Sequence, residues 1–371
     1  MAEKHDNLNS EFQYLLHLLR SVLKDEQPAE KPDGLSFEKL FALAREHSVA
    51  NMAFYGVERL SVKPAEPLLT RWRQLRDKAI VRDITQLSEL ELIGQALSEG
   101  GVRFLPLKGS VLKGCYPQTD MRTMSDIDIL IDEENAERAR DIMVSLGYSC
   151  DHFGYDVHDV YLKPPVMNVE IHRELFGEEG QEFREIFGDP MSLCVPAEGA
   201  EYRFTDESFF AYILAHAAKH YNEGGTGIRS FMDLWVFLSV KGAEVDLKRV
   251  YAMLEPSGLA GLSEDFVKLS QIWFGGAESS EKYDKMTAYI LSGGTYGNIQ
   301  NSVDNKVREK GRAHYLLRLV FPTFEHMKQH YPVLKKAPVL LPFCWLARLV
   351  TKPFINRSQN MAKVKALIKK K

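Results

Sequence analysis

At 371 residues the chain is long enough for two or three domains with an ample core, and its 45% hydrophobic and 26% charged residues are ordinary for a globular protein. No run of about 20 uncharged apolar residues is present, which excludes a helical membrane span. The net charge of −4 is uneven: no acid follows Glu325, eleven Lys and Arg residues do, and the first 325 residues therefore carry −15.

The opening Met1-Ala-Glu-Lys-His-Asp6 has no apolar signal region, and Cys115, Cys150, Cys194 and Cys344 are scattered without a C-x-x-C pair. Both features point to a reducing, cytoplasmic setting and away from a disulfide frame or a cysteine zinc site. Residues 1–100 read as an N-terminal helical region. Phe12, Leu15, Leu16, Leu18, Leu19, Val22 and Leu23 form one apolar stripe, and Phe37 to Leu60 holds a second and a third. Pro67 to Gly100 reads as one long helix, with proline at its start and Gly100-Gly101 at its end.

The α/β core is expected over residues 101–204. Val102 to Leu107 is a short apolar strand, followed by the turn Lys108-Gly109-Ser110 and a short helix to Tyr116. Glycine at such a turn lets backbone N–H groups approach phosphate, a serine hydroxyl can bond the same oxygens, and lysine supplies a compact charge. Met124-Ser125-Asp126-Ile127-Asp128-Ile129-Leu130-Ile131 is the most informative stretch. Side chains alternate along a strand, so Asp126 and Asp128 face one way and the isoleucines face the core. Paired carboxylates beside a core are costly unless compensated, and a divalent cation compensates them well. Glu133 to Gly147 reads as a helix, and Met167-Asn-Val-Glu-Ile-His172 alternates again, with Glu170 and His172 on the face away from the core. The order strand, helix, carboxylate strand, helix, carboxylate strand brings Glu170 toward Asp126 and Asp128 as a third metal ligand.

Residues 205–325 read as a C-terminal helical domain capped at Thr205 or Asp206, and residues 326–371 as a basic amphipathic tail. The helix from Asp206 to Tyr221 carries His216, Lys219 and His220, and Arg229 and Asp233 stand at i, i+4. Val339 to Phe354 mixes Leu, Phe and Trp345 with Arg348 and Lys352, as interfacial helices do. Several motifs fail. Gly109-x4-Gly114 is followed by Cys115-Tyr116 where a P-loop needs Lys-Ser/Thr, and no GxGxxG, HExxH or GxSxG is in place. An Asp-x-Asp phosphatase would leave Gly109-Ser110 and Glu170 without a role.

Lys108-Gly109-Ser110, Arg122, Ser125-Asp126-Ile127-Asp128 and Glu170 together resemble the catalytic core of the DNA polymerase β-type nucleotidyltransferase superfamily, in its branch of uncharacterised bacterial nucleotidyltransferases. The similarity continues through Leu214-Ala-His-Ala-Ala-Lys-His220, Gly227-Ile-Arg-Ser-Phe-Met-Asp233 and Gly293-Gly-Thr-Tyr-Gly297 to Leu341-Pro342. It implies an α+β fold: a small mixed-sheet nucleotidyltransferase core flanked by N-terminal and C-terminal helical domains. It implies Mg²⁺ (or Mn²⁺) on Asp126, Asp128 and Glu170, with an NTP as substrate. Lys108, Gly109, Ser110, Arg122, Ser125 and Lys219 would bind nucleotide, and Glu170 would accept the proton of the acceptor hydroxyl. One departure is the sixteen-residue step from Ser110 to Asp126, which makes the stretch from Tyr116 to Thr123 loop out.

The implied partners are a nucleoside triphosphate and a hydroxyl acceptor that is a small molecule, RNA or protein. The basic tail adds RNA or an anionic membrane surface, the latter at the inner membrane face. The alternative is a non-catalytic nucleotide-binding or membrane-peripheral scaffold that retains the fold. Base choice, acceptor and oligomeric state are not legible in the sequence.

Overall fold

The computed structural model describes residues 2–154, 157–177, 181–295 and 297–351. Contacts divide the chain into two units, residues 1–218 with 227–284, and residues 219–226 with 285–371.

In the first unit, α1 (Ala2–Leu23), α2 (Phe37–Glu46) and α3 (Ala50–Arg59) precede the 34-residue α4 (Glu66–Glu99). The stripe of α1 is buried at Phe12, Leu15, Leu16, Leu18, Leu19 and Val22. Pro67 sits in the first turn of α4, where its missing N–H costs nothing. Gly101 then takes φ +66°, the left-handed conformation that ends a helix and suits glycine. Near its start α4 buries Trp72, whose indole N–H donates to the Ala50 carbonyl at 2.6 Å, and near its end Ile93 and Leu97 enter the core under the sheet.

Next come β1 (Phe104–Pro106), α5 (Gly109–Leu112), β2 (Ile127–Ile131), α6 (Ala136–Ser145), β3 (Ser149–His152), β4 (His158–Lys163) and β5 (Met167–His172). They form a five-stranded sheet in the order β1-β2-β5-β4-β3. Only the β2–β5 pair is parallel. Its crossover runs through α6, β3 and β4, so the step from helix to carboxylate strand contains two strands that the sequence order omitted. One face of the sheet buries Ile127, Ile129, Ile131, Tyr161, Val169 and Ile171 against Ile93, Leu97, Ala139 and Met143.

The unit continues with α7 (Gln181–Phe187), the hairpin of β6 (Cys194–Pro196) and β7 (Tyr202–Phe204), then α8 (Asp206–Glu223), α9 (Ile228–Lys241), α10 (Leu247–Leu254) and α11 (Ala260–Ser270). Thr205 caps α8, its hydroxyl accepting from the Ser208 N–H at 3.2 Å. The protein is thus a mixed α+β fold with a small mixed sheet flanked by helices.

The second unit takes the end of α8 and most of α12 (Glu281–Gly293), then α13 (Ile299–Lys310), α14 (Arg312–Val320), α15 (Phe324–His330), α16 (Val333–Lys336) and α17 (Leu341–Thr351). Met327, Leu334 and Cys344 form a small core there. Residues 352–371, with seven of the eleven basic residues of the tail, lie outside the described residues. Among the described residues no helix is long and apolar enough to cross a membrane.

Candidate active site

Register builds the site. Asp128 of β2 is the strand partner of Glu170 on β5, and Leu130 is the partner of His172. On the other side of β5, His158 of β4 pairs with His172 and Val160 with Glu170. Register partners share a face, so Asp128, Glu170, His172 and His158 stand together on the face opposite the isoleucine core. Asp126 precedes β2 by one residue and is half-buried.

His172 Nε2 lies 2.8 Å from Asp128 Oδ1 and 3.6 Å from Glu170 Oε2, and His158 Nε2 lies 3.5 Å from the same Glu170 oxygen. Lys108 Nζ donates to Asp128 Oδ1 at 2.8 Å. The turn that carries Lys108 is itself strained. Lys108 has φ +45° and ψ −114°, a conformation that costs a non-glycine residue on the order of 1–3 kcal/mol and persists where its surroundings enforce it. Here the neighbouring Leu107 N–H is tied to the Asp128 carbonyl at 3.0 Å, and the lysine head to the Asp128 carboxylate.

These contacts split the two aspartates. Burial works against charge on Asp128, but hydrogen bonds from His172 and Lys108 outweigh it and hold the carboxyl below its ordinary range. Asp126 has the opposite fate. Burial, then repulsion from Asp128 and Glu170, pushes it up to about 6. The hydrogen bond of His172 lowers Glu170. Burial alone would lower His172, yet its bonds to Asp128 and Glu170 raise it. The site therefore holds one carboxylate whose charge the protein leaves poorly compensated. That fits a divalent cation, as does the donor chemistry. Among the described residues, His158, Glu170 and His172 offer ligand atoms that all lie within 4.8 Å of one another.

The other residues expected at the site fall into distinct places. Gly109 is buried, and a Cβ there would collide with Arg122 Nη1 and Met124 Sδ, so the turn packs tightly on the segment that leads into β2. Ser110 is half-buried, its hydroxyl 4.0 Å from Met124 Sδ. Ser125 is exposed, and its carbonyl accepts from Arg82 Nη2 at 2.9 Å. Lys219 is half-buried near the end of α8, within the second unit. Arg122 is buried and turned onto Asp233: Nη2 to Oδ2 at 3.0 Å and Nε to Oδ1 at 3.3 Å, with the Tyr116 hydroxyl donating to Oδ1 at 2.6 Å. That pairing occupies the guanidinium the sequence reading aimed at phosphate.

The stretch from Tyr116 to Thr123 does not loop out, contrary to expectation. Asp120, Met121 and Arg122 are buried. Asn51 of α3 donates to the Asp120 carbonyl at 2.7 Å, and the Tyr55 hydroxyl to the Asp120 carboxylate at 2.8 Å. Asp83 of α4 accepts from Thr119 Oγ1 at 2.5 Å and pairs with buried Lys113. The extra residues between Ser110 and Asp126 thus fasten the Lys108-Gly109-Ser110 turn to the N-terminal helices. His158 is the residue that sequence reading missed, because β4 was not recognised as a strand.

A family model described as an uncharacterised nucleotidyltransferase matches residues 33–275, a span that includes every residue discussed in this site. Two solved structures are similar in part. One is a solution structure of the antibiotic-resistance factor ANT(2″)-Ia, 16% identical over 49% of this chain and 97% of that chain, with a TM-score of 0.36. The other is a crystal structure of ANT(2″)-Ia in complex with adenylyl-2″-tobramycin, 14% identical over 47% of this chain and 97% of that chain, with a TM-score of 0.34. No curated protein matches the chain.

Proposed function

The chain belongs to this family of uncharacterised nucleotidyltransferases, and from that premise we propose that it transfers a nucleoside monophosphate from an NTP to an acceptor hydroxyl, releasing pyrophosphate. The observation that carries the reading is the pairing of Asp128 with Glu170 on parallel strands, beside an Asp126 whose charge lacks a counterpart. Asp126, Asp128 and Glu170 would hold Mg²⁺ or Mn²⁺, whose chemistry when bound is to acidify the acceptor hydroxyl and neutralise the leaving pyrophosphate. Lys108 is poised on Asp128 and would exchange that partner for a phosphate oxygen when triphosphate enters. Ser110 and Ser125 would hydrogen-bond phosphate. Glu170 is the proton acceptor for the attacking hydroxyl, with His172 holding its carboxylate ready in the charged form. Arg122 acts on the phosphates through the position it gives Gly109 and Met124, since its guanidinium is bound to Asp233.

The test is incubation with each α-³²P-NTP and Mg²⁺ or Mn²⁺ in cell extract, followed by identification of the labelled species. Labelling is expected with the wild type and absent with Asp126→Asn. Labelling that survives in both Asp126→Asn and Asp128→Asn overturns the mechanism.

A surface in the second unit bears on where the acceptor is met. On α17 the buried side chains are Cys344 and Arg348, whereas Phe343 and Val350 are 69% and 68% exposed and Leu346 and Leu349 are exposed as well. Val339 is 80% exposed, and Lys335 and Lys336 stand out beside it. An outward apolar face flanked by lysines, in a segment without acids, suits the headgroup boundary of an anionic bilayer. RNA would meet the lysines but leave the apolar face wet. We therefore read the membrane surface, rather than RNA, as the partner of this segment.

A further inference from the structure

The two histidines beside Glu170 are more than the carboxylate pair requires. We infer that His158, Glu170 and His172 form a binding site for a transition-metal dication of the zinc and cobalt class, adjoining the carboxylate pair. For its catalytic meaning the inference rests on the transfer reaction proposed above; for binding it stands by itself.

Spacing is the first support. Donor atoms bound at 2.0–2.1 Å in a tetrahedron stand about 3.3–3.4 Å from one another. The Glu170 oxygen lies 3.5 Å from His158 Nε2 and 3.6 Å from His172 Nε2. Both distances to the carboxylate are thus already close to ligand spacing, all three donors lie within 4.8 Å of one another, and a cation entering among them would replace the protons they now share.

Placement is the second. The donors come from two adjacent antiparallel strands in fixed register, so backbone hydrogen bonds rather than a loop set their separation. The two imidazole rings stand with centroids 5.0 Å apart. The side chain of His172 is 6% exposed, and its Nε2 would give up the bond to Asp128 on binding an ion, while the side chains of Glu170 and His158 are 20% and 28% exposed, leaving an entry for it.

Donor type is the third. Imidazole suits zinc, cobalt, nickel and copper, whereas magnesium takes oxygen ligands and keeps its waters. Two imidazoles and one carboxylate oxygen therefore select against Mg²⁺ at this position, and the second oxygen of Glu170 is left to join Asp126 and Asp128 in an all-oxygen set for a harder ion.

The experiment is Co²⁺ titration of the chelator-stripped full chain without nucleotide, read by visible d–d absorption. One equivalent is expected to give an intense, low-symmetry spectrum that a hundredfold excess of Mg²⁺ does not displace. His158→Gln keeps a hydrogen-bonding side chain at a half-exposed position, and it should weaken Co²⁺ binding by at least about tenfold, the loss that even an outer partner of a ligand brings. His158→Cys preserves a ligand and should restore binding with a thiolate charge-transfer band absent from the wild type. Co²⁺ affinity unchanged in His158→Gln, displacement by Mg²⁺, or a Cys variant without the band overturns the inference. Mg²⁺-supported transfer without this Co²⁺ site would sink the inference and spare the proposed reaction; the reverse result would spare the site and sink the reaction.

Discussion

Replacing Asp126 by asparagine should stabilise the metal-free protein while destroying its chemistry. The carboxyl of Asp126 stands at about 6 in the fold against an ordinary 3.8, because burial and then the charges of Asp128 and Glu170 oppose its ionisation. At 1.36 kcal/mol per pH unit, that difference corresponds to roughly 3 kcal/mol of unfavourable free energy at pH 7.5, and relaxation around a half-buried group reduces it to about 1–3 kcal/mol. The sign follows from proton binding. Between pH 4 and 6 the folded state binds more protons at this carboxyl than the unfolded state, so wild-type stability falls as pH rises through that window. An amide at this position does not titrate and has no such slope. The gain of Asp126→Asn should therefore be full at pH 7.5, about half as large at pH 5, and small near pH 4. Thermal melts in chelator across that range measure it, and adding Mg²⁺ in place of chelator should raise the melting temperature of the wild type and leave the variant nearly unmoved. A variant less stable than the wild type at pH 7.5, or a gain that grows toward pH 4, would show that Asp126 is a structural carboxylate rather than a cation ligand left without its ion.

Four further outcomes test other parts of the molecule. Asp233→Ala strands the buried Arg122 guanidinium and the Tyr116 hydroxyl, and should cost about 3–5 kcal/mol in urea unfolding; a loss under about 1 kcal/mol would mean that the pair does not anchor the 116–123 stretch. Gly109→Ala drives a methyl into Arg122 and Met124, so a loss of about 1–3 kcal/mol and weaker NTP binding are expected, and unchanged binding would separate the turn from phosphate. Lys108→Met removes one of the bonds that lower Asp128; the stability this lowered carboxyl contributes is present above about pH 4 and lost below it, so the acid limb of the wild-type stability curve should flatten in the variant. For the second unit, Phe343→Asp should abolish sedimentation with vesicles of phosphatidylglycerol and phosphatidylcholine while leaving transfer to a soluble acceptor intact; binding to RNA that survives this change, with none to vesicles in the wild type, would reverse the choice of partner.

Much of the sheet-bearing part was legible because its chemistry and its periodicity agree. In Ile127 to Ile131 and Met167 to His172 the inward positions are all aliphatic or Met, and the outward ones are polar except Leu130, so alternation places Asp128 and Glu170 without further help. The long helix was equally plain, bracketed by Pro67 and Gly101. What alternation cannot show is side-chain pairing across distant sequence. Arg122 and Asp233 are 111 positions apart, and Asn51 reaches Asp120 across 69. A buried arginine and a basic residue awaiting phosphate look alike until the partner is found, and the same long-range bonds turned an expected surface loop into a packed one.

β4 shows why one site residue escaped. Its inward positions are Asp159 and Tyr161, both fully buried, and its outward ones include Val160 and the exposed Leu162, so the hydrophobic pattern runs opposite to the true burial. Asp159 can be buried because Arg173 pairs with it at 3.2 Å and the Gly154 N–H donates at 2.7 Å, both from outside the strand. Register, not hydrophobicity, then decides which way His158 points: β5 pairs it with His172, and His172 must share the face of Glu170. Once β4 is accepted as a strand, the second histidine beside Glu170 follows from pairing alone, and with it a donor set that no spacing along the chain would suggest.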